Sequence, residues 1–156
     1  PALVREFAAR KDLTPEDRSA IAGVIWETND PAVTSIAQDL IKKGPAWGVL
    51  WGAYSERAPK DAVHLAITLP PTEESLDVLV KAADPRRIEV FRAVLNGTDP
   101  RAIRVVLKAV CDQYLVELGE EALAQLRNPD DRIREVASAT IERLKFYAEA
   151  KKAFQK

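Results

Sequence analysis

The chain has 156 residues, 47% of them hydrophobic and 30% charged, and 23 basic side chains against 24 acidic ones leave a net charge of -1. That length carries one domain with a proper core. The balanced charge excludes any global pull toward nucleic acid or an anionic membrane, so such a partner needs a local patch. One cysteine, Cys111, excludes an internal disulfide and suits a reducing, cytoplasmic setting. No secretory apolar segment and no apolar run of about 18 residues is found, so neither a leader nor a membrane span is expected. The sequence starts at Pro1, contains no methionine and stops on a charged helix. It is expected to be a domain of a longer protein.

Strand signals are nearly absent, and one punctuation recurs: a small polar residue, a proline, then a helical pattern. "TPED" begins at Thr14, "NDPAV" at Asn29, "ADPRRI" at Ala83, "TDPRAI" at Thr98 and "NPDDRI" at Asn128, with Thr72 of "TEES" a similar start. Thr or Asp caps the first amides through a side-chain oxygen, and proline at the first helical position loses no hydrogen bond. The spacing predicts a weak helix over 2–10. Further helices follow over 15–28, 31–43, 46–57, 60–69, 73–83, 85–96, 100–111, 113–127 and 130–154. Gly44 and Gly97 read as left-handed C-terminal caps. Leu115, Leu118, Ala122 and Leu126 form the stripe of the helix over 113–127.

A repeat underlies the punctuation. "DPRRIEVFRAVLNG" from Asp84 aligns with "DPRAIRVVLKAVCD" from Asp99, with Asp, Pro, Arg, Ile and Val coinciding. A unit of one short helix and a tight turn buries its apolar stripe only against neighbours. The stretches "DPRAIRVVLKAV" and "NPDDRIREVASATIERL" resemble the second helix of a HEAT-like repeat. The resemblance is good over 84–144, fair over 14–43 and poor over 44–71; the helix pairs span about 30 residues against the roughly 40–47 usual for HEAT, closer to short bacterial repeats. It implies an all-α fold, an α-solenoid of stacked antiparallel helix pairs over 1–156. It implies function only loosely, since HEAT-like proteins include scaffolds, bilin lyases, DNA glycosylases and a metal-dependent hydroxylase.

The stretch that departs from the repeat carries the aromatic residues. At about 100° per residue, Trp47, Trp51 and Tyr54 share a narrow sector, with Gly44, Gly48 and Gly52 to one side. Either the rings fill a helix seam, where small residues admit a neighbour, or they line a ligand or peptide groove. His64, the only histidine, cannot build a zinc site with one distant cysteine, and the repeated His-Glu pairs of the HEAT-like hydroxylases are missing. Cys111, mid-pattern on an apolar helix, reads as a buried thiol. No phosphate-binding glycine loop, GxSxG or HExxH occurs. The acidic pairs Glu73-Glu74 and Asp130-Asp131 stand at helix starts, where the dipole favours them.

Arg101, Arg104 and Lys108 follow one another at i, i+3 and i+7, and Arg86 holds the matching place in the previous unit. They are either one side of a repeat-to-repeat ladder of Asp–Arg contacts or a partner-binding ridge. Four cations are few for duplex nucleic acid. The expected function is therefore a non-enzymatic protein-interaction or scaffolding module, binding a protein or peptide without cofactor or metal. Nucleic-acid binding along the ridge and an enzyme with a pocket at the Trp stripe are the alternatives. The helix over 130–154 is expected to outrun its neighbours, so that Phe146–Lys156 projects.

Overall fold

The computed structural model describes residues 1–155; Lys156, the last residue of the projecting segment expected above, lies outside them. Among the described residues the chain is helical, with no strand. It divides into two compact units, Pro1–Ala82 and Ala83–Lys156.

The first unit holds α1 (Ala2–Ala8), α2 (Pro15–Glu27), α3 (Pro31–Ile41), α4 (Leu50–Arg57), α5 (Pro59–Thr68) and α6 (Glu73–Lys81). Successive helices from α1 to α6 pack on one another, and α4 also touches α2 and α6. The core centres on α4: its Leu50, Trp51 and Tyr54 are buried, as are Ile25, Ile36, Leu40, Leu65, Leu76 and Leu79 on the helices it packs against.

The second unit holds α7 (Arg87–Leu95), α8 (Pro100–Gln113), α9 (Gly119–Ala124) and α10 (Asp131–Phe154). Here α8 packs on α7, α9 and α10, and α9 also packs on α7 and α10. Phe91, Leu95, Ile103, Leu107, Leu118 and Ile133 are fully enclosed. Arg92 of α7 reaches Glu121 of α9 at 2.6 Å and also pairs with Glu89, which ties the short α9 to its neighbour.

The recurrent Asp has one job wherever it occurs. Its side-chain oxygen accepts the amide two residues on: Asp30 from Ala32 at 2.8 Å, Asp84 from Arg86 at 2.9 Å, Asp99 from Arg101 at 3.0 Å and Asp130 from Arg132 at 2.8 Å. Thr14 and Thr72 make reciprocal capping boxes with Asp17 and Ser75.

Four local expectations are corrected. The helix over 46–57 is a 3-10 turn at Pro45–Trp47 followed by α4. Pro45 brings no amide and Gly48 is a weak helix former, so the turn tightens to i→i+3 bonds, Gly48 donating to the Pro45 carbonyl at 2.9 Å. The helix over 113–127 breaks at its start because Tyr114 takes a left-handed conformation, φ 53 and ψ 46. It resumes as two 3-10 turns, Val116–Leu118 and Gln125–Arg127, flanking α9, and Leu126 of its stripe is exposed. Gly97 is no left-handed cap: α7 ends on Asn96 with ordinary helical angles. Among the described glycines only Gly44 has positive φ, 131. After Asp84 the chain makes a turn, and α7 begins two residues later than the proline pattern suggests.

Candidate interaction surfaces

The aromatic stripe lies in the core of the first unit. Trp47, Trp51 and Tyr54 are 6%, 5% and 2% exposed, which answers the seam-or-groove question in favour of a seam for Trp47 and Tyr54. Burial pushes the Tyr54 hydroxyl pKa up, helped by the charge of Asp61. Trp51 has a second role. It lines a cleft of about 730 Å³ formed by Gly48 and Val49 together with α4, α5 and α6.

The cleft is built by small residues and rimmed by acids. Gly48 and Gly52 withhold side chains along one wall, and Val49, Val63 and Val78 supply apolar surface. Glu73, Glu74 and Asp77 of α6 and Glu56 of α4 stand around it, with one cation, Lys81. Asp77 pairs with Lys81 at 2.7 Å and holds its ammonium pKa above the usual range. Among the described residues Glu56, Glu73 and Glu74 have no ion-pair partner, although the charge of Glu56 also acts on Lys81, so the rim stays net negative. The dipole of α6 favours acids at its first turn. It does not explain Glu56, in the last turn of α4, where the carbonyl end disfavours an anion. No three acidic, His or Cys side chains among them converge to hold a metal ion. The charge is spread along the cleft, an arrangement for an extended cationic group.

The four cations singled out from the sequence all belong to the second unit, and two are already engaged. Arg86 is held by Asp84 at 2.8 Å, which depresses the Asp84 carboxyl to a pKa of about 2. Lys108 pairs with Asp112 at 2.5 Å, and this hydrogen bond raises its pKa. Both pairs are local, one within a turn and one at i, i+4, rather than rungs of a repeat-to-repeat ladder. Arg101 is exposed; Arg104 is half-buried with its Nε unmet. His64 is exposed on α5, and Cys111 is half-buried rather than buried.

What sequence reasoning missed is the acidic rim. Glu73-Glu74 was visible as a helix start. Its meeting with Glu56 and with two glycines of the aromatic stretch requires α4 and α6 to be side by side. No described helix is long and apolar enough to cross a membrane. Compared with protein-family models, curated proteins and solved structures, the chain matches none of them.

Proposed function

We propose that this chain is a non-enzymatic protein-interaction module of HEAT-like helix pairs, which recognises a cationic segment of a partner protein in the cleft of its first unit. The observation that carries the reading is the cleft itself: apolar surface from Val49, Trp51, Val63 and Val78 beside three carboxylates without an ion-pair partner. Contacts of α4 with both α2 and α6, one helix removed in sequence, support stacked pairs within that unit. An amphipathic helix fits such a groove by laying apolar anchors on the floor and basic groups on the rim. Free charges on a rim steer encounter and select partners more than they add affinity.

One observation favours a second reading, an anion-binding ridge: the unmet Nε of half-buried Arg104 beside exposed Arg101. Chemical-shift mapping separates the two. A basic amphipathic peptide is expected to move amides of 48–56 and 73–82, while a DNA duplex moves none. Shifts confined to 101–108 on adding duplex or an acidic peptide, weakening steeply with salt, would transfer the function to the ridge.

A further inference from the structure

The second unit carries a segment with the chemistry the cleft lacks. The last buried side chain of α10 is Leu144, and three residues on Tyr147 stacks on Tyr114, ring centroids 4.6 Å apart. The helix continues to Phe154. Over that continuation Phe146, Ala150 and Phe154 succeed one another at four-residue spacing, and the two phenylalanines are 71% and 93% exposed. Lys145, Lys151 and Lys152 accompany them against one acid, Glu149. Aromatic surface of this extent stays in water at a cost unless something covers it.

Resting on the interaction-module reading, we propose that the cleft of one chain takes up the α10 end of a second copy. Phe154 packs on Val49, Val78 and Trp51, and Lys151 and Lys152 face Glu56, Glu73 and Glu74. The fit is by charge and by class of surface: a net-negative rim and an apolar floor on one side, three lysines and two exposed rings on the other. Such a contact joins two different surfaces of the same chain, so it is heterologous and propagates or closes according to the rotation between copies.

Sedimentation of the full chain tests this. The parent is expected to gain mass with concentration and to lose the association as salt rises. E73K/E74K and K151E/K152E are each expected to stay monomeric alone and to associate when mixed, because the acidic cleft of the second then meets the lysine-bearing tail of the first, the parent pairing, beside a charge-reversed one. Phe154→Ala, at a side chain that stabilises nothing in the monomer, guards against a charge variant that fails to fold; it should weaken association about tenfold, the effect of roughly 1.4 kcal/mol. A parent that stays monomeric at every concentration, or a mixture no more associated than its parts, overturns the proposal. If an unrelated basic amphipathic peptide still moves the cleft amides in that case, only the self-docking falls. If it moves nothing, the interaction-module reading falls too.

Discussion

Gly48 admits the carboxyl of Glu74: a Cβ at Gly48 would stand 2.9 Å from both Cδ and Oε1 of Glu74. The missing side chain thus sets where one of the rim charges rests. Gly48 has ordinary helical angles, so alanine strains no dihedral there, although its Cβ would also stand 3.2 Å from the Pro45 carbonyl oxygen. Gly48→Ala is expected to push Glu74 aside and to weaken binding of a cationic peptide. The loss should be about 1 kcal/mol, roughly fivefold, and should vanish in the Glu74→Ala background. Additive losses in calorimetric titrations of the double-mutant cycle would separate the two residues.

Gly23 and Gly52 make a matched pair. Both are exposed within helices, and a Cβ at either meets nothing within 4 Å. Alanine at each should stabilise the chain by about 0.5–1 kcal/mol, read as a raised thermal midpoint. Only Gly52 lines the cleft, so only Gly52→Ala should also reduce peptide affinity. An equal effect of both on binding would mean that the cleft wall is not the contact surface.

In the second unit Gln125 is a buried polar side chain with work on both ends. Its Nε2 donates to the Leu95 carbonyl at 2.6 Å and its Oε1 accepts from Asn128 at 2.8 Å. Gln125→Glu removes the donor at neutral pH and sets a carboxylate against a carbonyl. It should cost about 1–3 kcal/mol in urea unfolding. The cost should shrink as pH falls and the acid regains a proton to donate. A pH-independent cost would show that packing, not the hydrogen bond, is what the substitution damages.

Asp84 should titrate far below an ordinary carboxylate. Its pKa falls from 3.8 to about 2, chiefly through the side-chain hydrogen bond from Arg86. A depressed folded-state pKa gives stability that is present above the unfolded value and lost as pH falls from about 4 through about 2. Carboxyl-detected NMR should place the midpoint near 2 in the parent and closer to 3.8 in Arg86→Ala. An unchanged midpoint in the variant would assign the shift to another group.

The capped helix starts were legible because their cause is local: an Asp or Thr oxygen reaches an amide two or three residues on, and proline fixes the next φ. The breaks were less so. Tyr114 adopts φ 53 without any glycine or asparagine to announce it, and the stripe Leu115, Leu118, Ala122 kept helical spacing across a segment that is half 3-10 turn. Burial of Trp47 and Tyr54 could be anticipated from their sector. The cleft could not, since it depends on α4 lying against α5 and α6, and on side chains from Gly48 to Ala82 meeting in space. The overhang of α10 was visible as a stripe that persists to Ala148 and thins to Phe154 alone beyond it. The exposure of Phe146 and Phe154 agrees, and hydrogen exchange in the monomer should show weak protection beyond Ala148.

The indole region of a proton–nitrogen NMR spectrum tests the central claim most directly. The chain has three tryptophans, of which Trp51 alone lines the cleft, while Trp26 stands exposed on α2. Trp51→Phe assigns its indole signal. On titration with a peptide of residues 143–155, the Trp51 N–H signal should move saturably, as the filled cleft changes its surroundings, and Trp26 should stay in place. A Trp51 signal that does not move, or that moves equally in E73K/E74K, would contradict recognition in this cleft.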